Sequence, residues 1–144
     1  MKLKKVREGA KVPTYGTAGA AAADLYAATE APITIEPGGR AMIPIGIAIA
    51  SGRDDIVALI YGRSGLGAKH GVTLANCVGV IDSDYRGEIS VPLINHGGEP
   101  YTVMPGERVA QMAFTPVMHA AFEECGELDE TQRGTSGFGS TGKE

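Results

Sequence analysis

Ile43, Ile45, Ile47 and Ile49 fall at every second position of the run 41–50, the spacing that turns apolar side chains to one face of an extended strand. Nowhere does the chain sustain apolar residues at the 3.6-residue period of a long amphipathic helix. The other apolar runs are short: 3–6, 33–35, 57–61, 73–81, 88–94, 101–104, 108–114 and 116–122. Turn residues separate them, including Pro37-Gly38-Gly39 and Pro105-Gly106, and 21 of the 144 residues are glycine. This pattern predicts an all-β fold of many short strands around one core, with a single short helix over 64–70. The Gly/Ala-rich stretch from Gly16 to Ala23 is expected to form a tightly packed loop, because Gly16, Gly19 and Pro32 argue against a helix, and Asp24 after it reads either as a cap or as a polar group delivered into a site by a closely approaching backbone.

The segment Gly79 to Ile89 reads G-V-I-D-S-D-Y-R-G-E-I. Ile89, Val91 and Leu93 alternate with Glu88, Ser90 and Pro92, so a strand follows it, and the whole reads as a β-hairpin with Asp82, Asp84, Tyr85 and Arg86 at its tip. A reversal of direction needs only Gly with Asn or Asp. Two carboxylates, an aromatic and a cation are more chemistry than a turn requires, although Asp also caps turns and Tyr also packs. A calcium loop is excluded: Arg86 stands where an oxygen ligand is needed, and Leu93 occupies the place of the bidentate Glu.

Charge narrows the function classes. With 13 basic against 17 acidic residues the net charge is −4, which provides no footprint for double-stranded nucleic acid. The basic residues Lys2, Lys4, Lys5, Arg7 and Lys11 read as the solvated face of a first strand. No apolar leader follows them and no run is long enough to span a bilayer, so neither a membrane nor a nucleic acid is an expected partner. Cys77 and Cys125 have no metal-binding spacing and read as free thiols, which points to a reducing, cytoplasmic setting. His70, His96 and His119 are scattered and give no zinc site.

Two further stretches carry chemistry. Gly62-Arg63-Ser64-Gly65-Leu66-Gly67 brackets a cation and a hydroxyl with glycines, so that backbone N–H groups, an Arg fork and a Ser can converge on phosphate oxygens. It lacks the G-K-[ST] ending of a P-loop. From Gly126 the chain turns polar and ends in R-G-T-S-G-F-G-S-T-G, residues 133–142, too poor in apolar groups to build a core. Phe138 in that tail is either part of a fraying end or the cap of a lid, stacking on a flat ligand while Arg133, Ser140 and Thr141 meet an anion. Aromatic, cation and hydroxyls together suit a nucleotide polyphosphate.

Taken together these stretches resemble the trimeric all-β dUTP pyrophosphatase (dUTPase) family, whose five ordered motifs match Ala22 to Leu25, Gly62 to Gly67, Asn76 to Gly87, Gly106 to Gln111 and Arg133 to Gly142. Ala22, Gly62, Gly67 and Ser136 depart from the family's usual residues, but none removes a side chain the family uses for chemistry. The resemblance implies a distorted jelly-roll β-barrel core over 1–125 and a flexible C-terminal arm over 126–144 that closes on a neighbouring subunit's active site in a homotrimer. It implies hydrolysis of dUTP to dUMP and pyrophosphate, removing dUTP from the nucleotide pool and supplying dUMP for dTMP synthesis. Asp82 would be the base that activates water. Mg²⁺ would be the cofactor, with Asp24 holding it through water. Arg63, Ser64, Gly65 and Gln111 would grip the α- and β-phosphates, and Arg133, Gly139, Ser140 and Thr141 would close on the γ-phosphate. Asn76, Gly79 and Ile81 would read uracil, Tyr85 would exclude a 2′-hydroxyl, and Phe138 would cap the base. Arg108 reads either as an anion ligand or as half of a structural ion pair.

Two rivals share the pattern. A dCTP deaminase on the same fold would need a catalytic Glu about ten residues beyond Asp82, where Pro92 stands. A non-catalytic trimeric module would be expected to have lost the carboxylate or the arm, and this chain retains Asp82, Tyr85, Arg133 and Phe138.

Overall fold

The computed structural model describes residues 1–137; Phe138, Gly139, Ser140 and Thr141 lie outside the described residues. Twelve strands and one helix follow in order: β1 (Lys2–Lys5), β2 (Thr14–Tyr15), β3 (Ala23–Tyr26), β4 (Ile33–Ile35), β5 (Arg40–Pro44), β6 (Ile47–Ala50), β7 (Ile56–Tyr61), α1 (Ser64–His70), β8 (Val72–Leu74), β9 (Gly79–Ile81), β10 (Ser90–Asn95), β11 (Tyr101–Val103) and β12 (Arg108–Pro116). Every pairing is antiparallel. The largest sheet runs β2-β3-β12-β7-β9; β5-β10-β8 form a second, and β1-β6 and β11-β4 form two ribbons. They close as a distorted jelly-roll barrel on one apolar core, to which Leu25, Ile43, Ile45, Ile47, Val91, Leu93 and Val109 contribute fully buried side chains. Leu93 lies opposite both Leu74 and Ala41 and so ties the second sheet together. Leu93→Ala is expected to cost ~2–5 kcal/mol in urea unfolding, from lost transfer energy and the cavity left behind.

The alternating isoleucines are buried as their spacing predicts, yet 41–50 is not one strand. At Gly46 the backbone takes φ +74, and a Cβ there would stand 2.7 Å from that of Ala10 and 2.8 Å from that of Ala28. The chain bends at this point and passes from pairing with β10 to pairing with β1. Only glycine satisfies both the left-handed φ and the close approach. The helix forms over the residues expected of it and ends at Gly71 in the left-handed conformation, with φ 69.

The loop expected from Gly16 forms as far as Ala22, and Ala23–Tyr26 leave it as a strand, because β12 supplies a ladder partner, Gln111 opposite Asp24, that local sequence does not reveal. Three other expectations are corrected. The run 73–81 is split into β8 and β9. The hairpin expected around Asp82 is not a paired hairpin: β9 pairs with β7 in the large sheet, whereas β10 pairs with β5 and β8. The Asp82 loop therefore crosses from one sheet to another. Finally, no core strand occupies 116–122. Pro116 has no N–H with which to extend the ladder, and Met118 and Phe122 are each 98% exposed.

Candidate active site

The residues expected to grip phosphate come together at one end of the large sheet. β7 ends at Tyr61 and delivers Gly62 and Arg63, while β12 places Gln111 opposite Tyr61 on one side and Asp24 on the other. Gln111 donates its side-chain amide to the Gly62 carbonyl at 2.9 Å, which fixes the entrance to the Arg63 loop. Ser64 and Gly65 lie exposed in the first turn of α1, where Arg63 at the N-cap makes no side-chain cap and no acidic residue intervenes. First-turn N–H groups have no intrahelical partner. A cation, a hydroxyl, uncapped N–H groups and an amide at one strand end suit an anion.

Arg63 is already engaged. Its Nε donates to Asp24 Oδ1 at 3.1 Å and its Nη1 to the Arg108 carbonyl at 3.2 Å. Arg108 Nη1 reaches the other carboxylate oxygen of Asp24 at 3.2 Å. Asp24 is thus held between two guanidiniums, and the ion-pair reading of Arg108 is the one observed. Arg108 is presented by a braced turn: Glu107 accepts the Met104 N–H at 2.8 Å and the Tyr101 hydroxyl, and burial together with that carboxylate pushes the Tyr101 phenol up. Apolar periodicity gave no sign of this bracing, since Tyr101 at the start of β11 and Glu107 in the turn after it meet only once that turn folds back.

The donor set answers how a divalent cation fits. Among the described residues no group of three His, Cys, Asp or Glu side chains converges. Asp24 is a single carboxylate with both oxygens already accepting a guanidinium N–H. Such a group suits contact with a hydrated Mg²⁺ through water, not a protein cage; Mg²⁺ commonly keeps its waters and takes most of its other ligands from substrate phosphates.

The residues expected to read the nucleoside gather elsewhere. β9 is the edge strand of the large sheet, so beyond β7 the Gly79–Ile81 backbone has no strand partner among the described residues. An unpaired edge presents N–H and C=O groups in a fixed row, the kind of pattern that can match a base edge. Gly79 is buried against Ile60, where an added Cβ would approach to 3.0 Å. Asn76 is exposed in the turn before it. A groove of about 420 Å³ adjoins this edge, lined among others by Met42, Val80, Ile81, Asp82, Tyr85 and Glu88, a volume within the range of small-molecule sites. Asp82 is exposed and also borders a wider groove of about 760 Å³ floored by Ile56, Val57 and Leu59.

Within one chain Asp82 does not meet the Arg63 end of β7. Ile81 pairs with Ala58, so Asp82 lies level with the start of β7, whereas Arg63 lies beyond its other end. At about 3.3 Å per residue the six positions between them span roughly 20 Å. Arg133 joins neither group: its Nε donates to the Ser136 carbonyl in an exposed turn.

One ion pair near the base groove escaped the sequence reading. Arg7 does not belong to the solvated face of β1; it forks onto Glu88, Nε to Oε1 at 2.8 Å and Nη2 to Oε2 at 2.9 Å. Eighty-one residues separate the two, beyond the reach of any local pattern. Lys11, also assigned to that face, donates instead to the Gly106 carbonyl at 3.2 Å. The hydrogen bond from Arg7 holds the Glu88 carboxyl below its ordinary value of 4.5, against the opposing effect of burial. A depressed carboxyl stabilises the fold above its unfolded-state pKa and loses that contribution as pH falls through the folded one. In urea unfolding followed against pH, Glu88→Gln is expected to flatten the parent's loss of stability below about pH 4.5 and to leave the slope near neutrality unchanged.

Comparison with known proteins places the chain in context. The dUTPase family model matches residues 8–142. The deoxyuridine 5'-triphosphate nucleotidohydrolase of Desulfitobacterium hafniense is 53% identical over 132 residues, 92% of this chain and 87% of the relative. That of Chromobacterium violaceum is 46% identical over 143 residues, covering 99% and 95%. Among solved structures, the Staphylococcus bacteriophage 80alpha dUTPase with dUPNHPP superimposes with a TM-score of 0.88 at 22% identity, covering 98% of this chain and 97% of that one. A mutant dUTPase from phage phi11 of S. aureus, described with a coordinated structural Mg(II) ion, gives 0.80 at 19% identity, covering 90% and 98%.

Proposed function

The chain belongs to the dUTPase family and hydrolyses dUTP to dUMP, and from that premise we propose how its residues divide the reaction. Water attacks the α-phosphorus, a new P–O bond forms, and the bond to the β-phosphate oxygen breaks, releasing pyrophosphate with the electron pair. Asp82 orients the water and accepts its proton; the carboxylate stands free at the groove edge, as a general base must. Arg63, Ser64, Gly65 and Gln111 hold the α- and β-phosphates, positioning them for in-line displacement. A bound Mg²⁺ would neutralise charge on the triphosphate, with Asp24 attached through water. Asn76 and the β9 edge from Gly79 to Ile81 read uracil. Cytosine presents a reversed donor-acceptor pattern there, and leaving buried groups unpaired costs a factor of about 10⁴. Tyr85 lies against the sugar and rejects a 2′-hydroxyl.

The observation that supports this division is the separation of Asp82 from Arg63 by roughly 20 Å along β7. Each half is well formed, and neither can complete a site alone. A homotrimer in which one subunit presents the phosphate end and another presents β9 and Asp82 unites them. The segment beyond Pro116, with Met118 and Phe122 exposed, crosses to a neighbouring subunit in the same arrangement. The arm over 126–144 then brings Arg133, Phe138, Gly139, Ser140 and Thr141 over the bound nucleotide. Among the described residues no helix is long and apolar enough to cross a membrane, and a cytoplasmic setting is part of this proposal.

Phosphorus NMR of dUTP with the protein and Mg²⁺, alongside dCTP, tests this reading. Pyrophosphate and dUMP from dUTP alone are the expected result. Orthophosphate and dUDP would move the attack to the γ-phosphorus, and unchanged dUTP under binding conditions would favour a non-catalytic module.

A further inference from the structure

Tyr85 projects from a loop in which all four flanking residues, Ser83, Asp84, Arg86 and Gly87, are polar or glycine, so its placement needs a cause. Its hydroxyl donates to the Glu88 carbonyl at 3.0 Å, folding the ring back over Gly87. A Cβ built on Gly87 would stand 2.5 Å from Tyr85 Cζ, closer still to the hydroxyl oxygen, and 3.0 Å from Cε2. The three atoms nearest to it all belong to the Tyr85 side chain, so this ring is what a side chain at position 87 meets first. Glu88, which supplies the accepting carbonyl, is itself anchored by the forked ion pair to Arg7.

We propose that Gly87 is a positioning residue for sugar selection: its missing side chain and the anchored Glu88 carbonyl fix the Tyr85 ring where it rejects a 2′-hydroxyl. The inference rests on the proposed role of Tyr85 and deepens it. Because Tyr85 is 43% exposed, a methyl at position 87 displaces the ring toward solvent and leaves the backbone in place. The Gly87→Ala chain therefore folds, and the change appears in selectivity. UTP gains access while the groups that hold phosphate and activate water are untouched.

The test is a double-mutant cycle read as the ratio of kcat/KM for dUTP to that for UTP. Gly87→Ala is expected to lower the ratio by about 10- to 100-fold, the range for rejecting one small group, chiefly through a rise for UTP. In a Tyr85→Ala background, where no ring remains to be displaced, the same substitution should leave the ratio unchanged. Arg7→Gln, which frees Glu88 without adding bulk, should lower the ratio by a smaller factor and provides the same readout if Gly87→Ala fails to fold. An unchanged ratio in Gly87→Ala and Arg7→Gln, or an equal fall with and without Tyr85, overturns the proposal. If the parent enzyme itself does not prefer dUTP to UTP, the assignment of Tyr85 fails instead, so the two failures are distinguishable.

Discussion

Asp82→Asn is expected to slow turnover of dUTP by about 10²–10⁴-fold, the usual contribution of a positioned general base, while binding of the nucleotide survives. In free energy this is about 3–5 kcal/mol of transition-state stabilisation. The amide keeps the size of the carboxylate but cannot accept the proton of water. Among the described residues the Asp82 side chain makes no hydrogen bond, and it is exposed, so the substitution leaves the fold intact. Exposed replacements of this kind usually change stability by less than about 0.5 kcal/mol. Single-turnover kinetics with pyrophosphate release, paired with calorimetric binding of a non-hydrolysable dUTP analogue, separates chemistry from affinity. A variant that turns over at the parent rate would remove Asp82 from the role of base.

Two inactive chains are expected to rescue one another. Arg63→Ala removes the cation from the phosphate end, and Asp82→Asn removes the base from the other. If a site takes Asp82 from one subunit and Arg63 from another, co-assembly of the two variants at equal amounts restores an intact pair in about one quarter of the sites of a symmetric trimer. Activity should rise from near zero in either variant alone to about a quarter of the parent value after unfolding and reassembly together. The roughly 20 Å between the two ends of β7 predicts this directly. No recovery in a mixture shown to contain hybrid trimers would mean that both residues serve one site from a single chain, against the separation seen in the fold. Asp24 keeps its bond to Arg108 in the Arg63→Ala chain, which limits collateral damage at the phosphate end.

The all-β class, the short helix over 64–70 and the burial of the four isoleucines at every second position of 43–49 were legible in the sequence, because each depends on local periodicity or on a local cap. The site was legible as a set of residue types: cation and hydroxyl between glycines, carboxylates and Tyr85 in one loop, Gln111 in an apolar strand. Which of them stand together was not. Asp24 reads in the sequence either as a cap or as a polar group delivered into a site, and the structure sets it in a strand held by β12; Arg108 reads equally as anion ligand or ion pair, and the structure pairs both guanidiniums with Asp24.

Sequence alone determined the chemistry on offer and the rhythm of strands and turns, since side-chain identity and the alternation of apolar residues are properties of neighbours along the chain. Tertiary structure decided the partners: that β9 and β10 join different sheets, that Arg7 grips Glu88 across 81 residues, and that Asp82 and Arg63 occupy opposite ends of one strand. Those outcomes depend on ladders and ion pairs between segments far apart in sequence, whose register is fixed only when the whole core packs.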